Sequence, residues 1–176
     1  WEAYEQPTWV TFNGRTFDIP LMEHAAFRYG ISVPRWFNLE NRTYEQSRNR
    51  YNLNSHFDLQ EILTNYGSTW FRGGLNLAAS LLGKPGKMNV KGDMVYDLYC
   101  QGKVAEINEY CRCDVLDTYF VFLRAKVLMG KITLNQEQEL VCQAKALLES
   151  QVDQHPAYVQ YLEQWGDWKN PWEESA

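Results

Sequence analysis

The sequence has no surplus of basic residues: 17 Lys and Arg stand against 22 Asp and Glu, and the formal net charge is -5. A protein that coats nucleic acid through charge alone needs a basic surface, so the composition argues against that class. The acidic balance does not exclude a nucleic-acid substrate, because an enzyme that binds divalent cations through carboxylates carries acidic groups at its own site.

Zinc-type cysteine pairs and long apolar runs are also missing. The four cysteines include no C-x-x-C pair, and we expect them to be reduced, buried thiols of a cytoplasmic protein. They are Cys100, Cys111, Cys113 and Cys142. No apolar run approaches the roughly 18 residues of a membrane-spanning helix, and no secretory hydrophobic region opens the chain, so no membrane partner is expected.

What is present is enough apolar surface for one core. The 176 residues are 45% hydrophobic and 15% aromatic, which predicts a single domain over residues 1–176, with residues 131–176 as a C-terminal helical extension of it. The chain opens at Trp1 and continues in a segment typical of the end of a helix. We therefore expect the domain to be incomplete at its N-terminus.

Apolar periodicity predicts two short strands and a larger number of helices. Residues 8–12 are β-branched and aromatic and predict a buried strand, and residues 56–59 predict a second strand that leads into a helix through residue 66. A helix is expected from Asp18 to Gly30, where glycine ends it. Further helices are expected at residues 75–82, 93–100, 103–129, 135–151 and 156–165.

Residues 31–54 show little periodicity and predict a long surface excursion. Within it, Arg48, Arg50 and Tyr51 favour a solvated loop, and a grip on single-stranded nucleic acid by charge and stacking is the alternative. Two strands alone make a marginal sheet. The pattern therefore predicts a helix-rich α/β fold whose first strands are missing from this chain.

The first helix is preceded by residues 13–18, Asn-Gly-Arg-Thr-Phe-Asp. Asn-Gly between apolar runs is typical of a hairpin turn, but Pro20 breaks the strand that would have to follow. A second interpretation stays open, in which Asp18 is the N-cap of the helix and Pro20 lies in its first turn.

A phenol and a carboxylate stand one helical turn apart at Tyr110 and Asp114. This spacing puts both side chains on one face of a helix. The flanking residues are largely apolar, and an ionised carboxylate buried among them is costly unless it is paired. Asp114 therefore needs a salt bridge, a bound cation or a solvent-facing stripe of helix, and the sequence leaves these alternatives open.

Taken in order, the two motifs resemble the second and third exonuclease motifs of the proofreading domain of family B DNA polymerases. A closer likeness is to a family of stand-alone bacterial proteins described as predicted 3′-5′ exonucleases related to that domain. Supporting segments lie at residues 9–14, 56–59, 81–87 and 109–119. The resemblance covers residues from about 8 to 130.

The resemblance implies an RNase H-like exonuclease fold of the DEDD superfamily, in which carboxylates bind two divalent ions that act on the terminal phosphodiester. By resemblance, Asp18 and Asp114 are catalytic metal ligands, and Tyr110 orients the attacking water. Asn13 and Phe17 would bind the substrate near its 3′-terminal nucleotide. Oxygen ligands suit Mg²⁺ or Mn²⁺. The implied substrate is the 3′ end of single-stranded DNA, and the sequence leaves any protein partners unknown.

The first motif of that family, Asp-x-Glu on the first strand, occurs nowhere in the 176 residues. Half of the family's carboxylates are therefore unaccounted for. We expect this stretch alone to be inactive and an upstream segment to supply them. Two rival classes stay open: a non-catalytic exonuclease-like module that binds nucleic acid or protein, and a helical adaptor unrelated to nucleases.

Two further features have a structural and a functional interpretation. Residues 83–87, Gly-Lys-Pro-Gly-Lys, do not match a phosphate-binding P-loop. They predict a turn that ends a helix, and Lys84 or Lys87 on DNA phosphates is the alternative. His56 predicts a structural residue at a strand end, and substrate contact is the alternative.

Overall fold

A computed structural model of the chain describes residues 1–86 and 94–172. The chain divides into two compact units, Trp1–Phe71 and Arg72–Ala176. The first unit holds two strands and three helices, and the second is built of helices within its described residues. The single domain over residues 1–176 and the extension at residues 131–176 stay predictions.

The sheet of the first unit is a parallel pair of short strands. Strand β1 covers Trp9–Thr11 and strand β2 covers His56–Asp58, and Val10 pairs with Phe57. Parallel strands need a long crossover, so the rejection of a hairpin is confirmed. Strand β2 is fully buried, whereas β1 is half-buried, so the expectation of a buried first strand was too strong.

The first helix begins and ends as the sequence predicts. Helix α1 covers Asp18–Tyr29, and Gly30 ends it in the left-handed conformation at φ 66°, which glycine adopts without steric cost. Within α1, Ile19 is the buried residue. Leu21 and Met22 of the same helix are 58% and 45% exposed.

The crossover between the strands is largely irregular and exposed, as predicted. It contains helix α2, Pro34–Phe37, and a 3₁₀ turn at Thr43–Glu45. Trp36 of α2 is buried, and its indole N–H donates to the Glu23 carboxylate at 2.8 Å. After β2 the chain forms helix α3, Leu59–Leu63, which is shorter than the predicted helix through residue 66.

Helices of the second unit match the predicted ranges within a few residues. They are α4 at Gly74–Ser80, α5 at Val95–Cys100, α6 at Val104–Leu128, α7 at Leu134–Glu149 and α8 at Pro156–Glu163. Helix α6 contacts each of the other four. Its apolar face supplies Phe120, Val121 and Leu123 to the core. Residue 93, the predicted start of α5, lies outside the described residues.

A local capping motif starts α7, and one ion pair joins this helix to α6. Helix α7 opens with a capping box, in which the Thr133 hydroxyl accepts from the Gln136 N–H and the Gln136 side chain accepts from the Thr133 N–H. The guanidinium of Arg124 on α6 donates to both oxygens of the buried Glu137 at 2.8 and 2.9 Å. A charged pair with this geometry aligns the two helices.

All four cysteines are free thiols, as expected, but only Cys113 is buried. Burial raises the pKa of the Cys113 thiol to about 12. Cys100, Cys111 and Cys142 are exposed, so their predicted burial is wrong: they lie on outward faces of helices whose other sides pack.

Among the described helices, none combines the length and apolarity needed to cross a bilayer.

Candidate functional site

The loop between β1 and α1 is held by the carboxylate of Asp58, the last residue of β2. Its Oδ1 accepts from the backbone N–H of Asn13 at 2.9 Å, and its Oδ2 accepts from that of Arg15 at 2.9 Å. Oδ1 also accepts from the Gln60 N–H at 3.0 Å and caps α3. Asp58 is only 2% exposed, and three N–H donors offset the cost of burying its charge.

A second set of hydrogen bonds fixes the same loop from β1. The Thr11 hydroxyl bonds His56 Nε2 at 2.8 Å and accepts from the Gly14 N–H at 3.2 Å. Gly14 is buried, and a Cβ there would lie 2.5 Å from the Thr11 Cβ, so the loop requires glycine. Burial, and then the positive charge of Arg15, lower the pKa of His56 to about 4. His56 is thus a neutral structural residue, as predicted.

The loop held by Asp58 and Thr11 ends at Asp18, which is the first residue of α1. The N-cap is Phe17, whose carbonyl accepts from the Leu21 N–H at 3.0 Å, and no side chain caps the helix. The interpretation of Asp18 as the N-cap is therefore wrong, because the helical hydrogen bonds begin one residue earlier. The Asp18 side chain is exposed and lies in the first turn, where the helix dipole stabilises negative charge.

Asn13 and Phe17 flank this aspartate in different ways. Asn13 is half-buried with a φ of 65°, and its side-chain oxygen accepts from the Thr16 hydroxyl at 2.7 Å. Phe17 is 65% exposed. Asn13 is therefore engaged within its own loop, whereas the Phe17 ring is open to a ligand. Their position beside a terminal nucleotide stays a prediction.

On α6, the phenol of Tyr110 donates a hydrogen bond to the Asp114 carboxylate. The shared helix face inferred from their spacing is therefore confirmed. Burial raises the pKa of Tyr110 well above its ordinary value, and the hydrogen bond and charge of Asp114 raise it further. Asp114 is half-buried, so it occupies neither a fully exposed stripe nor an unpaired position in the core.

A buried carboxylate that the sequence reasoning missed lies one turn further along α6. Asp117 is 1% exposed and accepts from the Tyr161 hydroxyl of α8 at 2.6 Å and from the Gly86 N–H. Burial raises the pKa of Asp117 to about 6, although the bond from Tyr161 opposes this. The available signal was its helical spacing from the buried Cys113 and Phe120, which puts Asp117 on the inward face.

Lys84 is buried in the second unit, so the alternative in which it binds DNA phosphates is wrong. Its ammonium donates to the Gly166 carbonyl at 2.9 Å and lies 3.8 Å from the centre of the Trp165 ring. Burial lowers the pKa of Lys84 to about 8. A turn does follow α4, but it lies at residues 81–83, about two residues before the predicted residues 83–87. Lys87 lies outside the described residues.

The excursion in the first unit is more ordered than a solvated loop. The Arg48 guanidinium donates to both oxygens of Glu23, at 2.7 and 2.9 Å. Arg50 donates to Glu61 at 2.6 Å. Both arginines are exposed, as predicted for a solvated loop, and each also pairs with a carboxylate, because the excursion folds back over α1 and α3. Tyr51 is 64% exposed.

The sequence-predicted residues fall into two groups. Asn13, Phe17 and Asp18 belong to the first unit, whereas Tyr110 and Asp114 belong to the second. The first three residues lie in one loop and at the start of the helix that follows it, and in the second group Tyr110 donates a hydrogen bond to Asp114. The roles of Asp18 and Asp114 as catalytic metal ligands stay predictions.

The donor chemistry of both groups suits a hard divalent cation. Asp18 presents an exposed carboxylate that is not used in helix capping, and Asp114 presents a half-buried carboxylate oriented by a phenol. Carboxylate oxygens are the ligands that Mg²⁺ and Mn²⁺ prefer. Within residues 1–86 and 94–172, no three His, Cys, Asp or Glu side chains cluster as a metal centre.

A helix-rich chain with a small parallel sheet, an aspartate at a strand-to-helix junction and a Tyr-Asp pair on a late helix fits a nuclease-related α/β protein. A family model described as predicted 3′-5′ exonuclease related to the exonuclease domain of PolB matches residues 1–165, and the chain belongs to that family. No curated protein and no solved structure matches the chain. The resemblance inferred from the motifs is confirmed, and the family implies a nucleic-acid substrate.

Proposed function

We propose that the intact protein is a metal-dependent 3′-5′ exonuclease that removes nucleotides from the 3′ end of single-stranded DNA. Its fold is proposed to be RNase H-like, with further strands beside β1 and β2. We also propose that it acts in the cytoplasm, and its four free thiols support a reducing compartment.

The observation that carries this proposal is the hydrogen bond between Tyr110 and Asp114 on α6. A half-buried carboxylate oriented by a phenol is a suitable metal ligand beside a group that positions water. Asp18 supports it from the first unit, since its exposed carboxylate follows a loop held by Asp58 and Thr11. Both aspartates lie within the matched residues of the exonuclease family.

Asp18 and Asp114 would hold the Mg²⁺ or Mn²⁺ ions. Two such ions, when bound, lower the pKa of a coordinated water and stabilise charge on the phosphate and on the leaving oxygen. The aspartates contribute negative oxygen ligands at fixed positions, one on the first turn of α1 and the other on α6.

Tyr110 would orient the attacking water. Its raised pKa keeps the phenol protonated. Because its hydrogen is given to Asp114, the phenol oxygen presents lone pairs that accept a hydrogen bond from water. The water oxygen bonds to phosphorus, the bond from phosphorus to the 3′ oxygen breaks, and a proton passes to that oxygen. A 5′-mononucleotide and a shortened strand with a 3′ hydroxyl result.

Phe17 and Asn13 would position the terminal nucleotide. The exposed Phe17 ring offers a face on which a base stacks, and such stacking contributes about 1–3 kcal/mol per base. Asn13 stays within its loop through its bond from Thr16, so its contribution is to shape the loop edge and to present its amide N–H₂ donors. Phe17 immediately precedes Asp18 in the chain, and Asn13 lies five residues before it.

A second candidate is favoured by one observation, the lack of Asp-x-Glu in the 176 residues. A non-catalytic exonuclease-like module would retain the fold and bind nucleic acid or protein without cleaving it. The complete reading frame separates the two candidates. An Asp-x-Glu on a strand upstream supports the enzyme, and a start codon with no such motif supports the binding module.

The test is degradation of a 5′-labelled single-stranded DNA oligonucleotide by the product of the complete reading frame with Mn²⁺. The proposal predicts a ladder of products shortened from the 3′ end, and its loss in Asp18→Ala. Asp153→Ala is the matched control, since it removes an exposed carboxylate from a turn in the other unit. An undegraded oligonucleotide, or equal rates in Asp18→Ala and the wild type, would contradict the assignment.

A further inference from the structure

The first unit contains a cavity of about 460 Å³ whose wall carries three arginines. Arg15, Arg48 and Arg50 lie around it, together with the carboxylates of Glu23 and Glu61. These five side chains, the arginine cavity, carry a surplus of one positive charge. The proposed exonuclease mechanism does not use any of them.

The charges of the arginine cavity are layered. The side chains of Glu23 and Glu61 are 19% and 14% exposed, whereas those of Arg48 and Arg50 are 48% and 45% exposed. The two carboxylates and Arg15, which is 16% exposed, therefore lie beneath, and the guanidinium groups of Arg48 and Arg50 lie outside. An approaching anion meets the two outer arginines first, and the carboxylates beneath weaken the attraction but hold the guanidinium groups in place.

Hydrogen bonds hold the guanidinium groups of Arg48 and Arg50, but they use only part of the N–H donors of each group. Arg48 uses Nε and Nη2 for Glu23, and Arg50 uses Nη2 for Glu61 and the Tyr66 carbonyl. Among the described residues no partner is recorded for the remaining guanidinium N–H groups, Nη1 of Arg48 and Nε and Nη1 of Arg50. Aromatic rings also support both groups: Arg48 lies 4.7 Å from the centre of the Phe37 ring, and Arg50 lies 5.7 Å from that of Tyr66. Such pre-organisation lowers the entropic cost of binding an anion.

Glu23 keeps its charge although it is partly buried. Burial alone would raise its pKa, but hydrogen bonds from Arg48 and Trp36 outweigh this and lower it. The Glu61 carboxylate is shared by two arginines, with Arg15 Nε at 2.9 Å and Arg50 Nη2 at 2.6 Å. One guanidinium is thus not neutralised, and its single positive charge matches the single negative charge of a phosphodiester.

The arginine cavity adjoins the aspartate of the second motif. Thr16 and Pro20, which lie on either side of Asp18 in the chain, both line it. A strand whose terminal nucleotide lies at Asp18 therefore has its neighbouring phosphates within the same unit as these arginines. Guanidinium groups recognise phosphate oxygens through paired N–H donors.

We propose that the arginine cavity binds an internucleotide phosphate of the single-stranded DNA substrate, next to the nucleotide to be removed. This assignment rests on the proposed function for the identity of the strand. It assigns phosphate binding as the role of Arg48 and Arg50. The exposed ring of Tyr51 lies beside Arg50. Because phosphate contacts carry no base information, the site predicts binding that does not depend on sequence.

The experiment measures binding of a fluorescein-labelled oligothymidylate to the complete gene product in EDTA, by anisotropy over a series of salt concentrations. Arg48→Gln and Arg50→Gln are each expected to weaken binding roughly three- to tenfold at low salt and to reduce the salt slope by about 0.7, the value for one phosphate contact on a single strand. Arg35→Gln removes an exposed arginine of the same unit outside the cavity and is expected to change neither quantity.

A double variant keeps the net charge and tests for loss of fold. Arg48→Gln with Glu23→Gln leaves no unpaired carboxylate, and the amide oxygen introduced by Glu23→Gln can still accept from Trp36. The double variant is expected to bind as weakly as Arg48→Gln while unfolding at the wild-type temperature. Wild-type affinity and slope in all the cavity variants, or an equal loss in Arg35→Gln, would overturn the proposal.

Two further arms separate this site from the proposed function. An oligouridylate of the same length tests the strand: equal losses support phosphate recognition, and losses confined to RNA overturn the DNA assignment. Cleavage is measured separately with Mn²⁺. Cavity-dependent binding without any cleavage would retain the phosphate site and reject the exonuclease. Cleavage with wild-type KM in both arginine variants would retain the exonuclease and reject the phosphate site.

Discussion

The Asp58 carboxylate accepts a hydrogen bond from the Asn13 backbone N–H at 2.9 Å, although the two residues are far apart in the chain. With the second bond to Arg15, this carboxylate sets the path of the loop that ends at Asp18. Asp58 is thus a positioning residue: it acts on the exposed aspartate through the backbone.

Replacement of Asp58 by Asn should misplace this loop. An amide has one oxygen where the carboxylate has two, so one backbone N–H would face an N–H₂ group, at a cost of about 1–3 kcal/mol. We expect kcat to fall with a smaller change in KM and a lower affinity for Mn²⁺, measured by isothermal titration. Asp58→Glu should restore part of both, because its carboxylate retains two acceptors.

A merely structural role for Asp58 would give a different result. Stability would fall in Asp58→Asn, but the folded fraction would keep the wild-type kcat and Mn²⁺ affinity. That outcome would contradict its assignment as a positioning residue.

His56 should make the fold sensitive to acid. Its pKa is lowered to about 4 in the folded protein, whereas an unfolded histidine titrates near 6.5. Between these values the unfolded state binds the extra proton, so stability is full above about pH 6.5 and falls as the pH drops towards 4, by about 3 kcal/mol in total. Urea unfolding at several pH values measures this slope.

Histidine variants isolate this contribution from that of Asp117. The raised pKa of Asp117 acts in the opposite sense over part of the same range, so the wild-type slope alone is not diagnostic. His56→Gln should lose the acid-dependent decrease, whereas His24→Gln, at an exposed position on α1, should retain it. Parallel pH profiles for His56→Gln and the wild type would contradict the buried, neutral histidine.

Tyr161→Phe should destabilise the second unit. The change deletes the hydroxyl that donates to Asp117 at 2.6 Å and leaves a buried carboxylate with one partner fewer, at a cost of about 1.5–3 kcal/mol. Tyr158→Phe is the control on the same helix, since the described structure records no hydrogen bond from that hydroxyl. Equal losses of unfolding free energy in the two variants would contradict the account.

Helices and strands were largely predictable from the sequence because their signals are local. The apolar spacing of α6 and α7 and the glycine after α1 fixed element type and most boundaries within a few residues. The loop conformation at Asp18 was not predictable, since its N-cap position depends on hydrogen bonds from Gly14 to Thr11 and from Asn13 to Asp58. The bond from Asn13 to Asp58 forms only when β1 and β2 have paired in their register.

The candidate site was predictable where one helix contains both partners. Tyr110 and Asp114 follow from spacing along α6 alone. Lys84 and Asp117 required knowledge of which helices pack: Lys84 reaches the Gly166 carbonyl and Asp117 reaches Tyr161 across the unit. The sequence shows which residues are charged but not which groups they contact in the folded chain. The burial of Lys84 and Asp117 was therefore not predicted.

Tyr110→Phe should slow turnover more than it weakens substrate binding. The variant keeps the ring but removes the oxygen that orients water, so we expect kcat to fall roughly 10- to 100-fold. Affinity for the oligonucleotide in EDTA should change little. Tyr119→Phe, on the same helix, is the control. A wild-type kcat in Tyr110→Phe would show that the phenol has no part in the reaction.

The central claim is that Asp114 is a metal ligand of a 3′-5′ exonuclease, and one measurement tests it most directly. The complete gene product and its Asp114→Ala variant are compared for Mn²⁺-dependent shortening of a 5′-labelled oligonucleotide, with Asp97→Ala, an exposed aspartate of α5, as control. The account predicts a 3′-shortened ladder in the wild type and control and a loss of more than roughly 100-fold in Asp114→Ala, beyond what an outer-sphere partner contributes. Degradation by folded Asp114→Ala at the wild-type rate would contradict it.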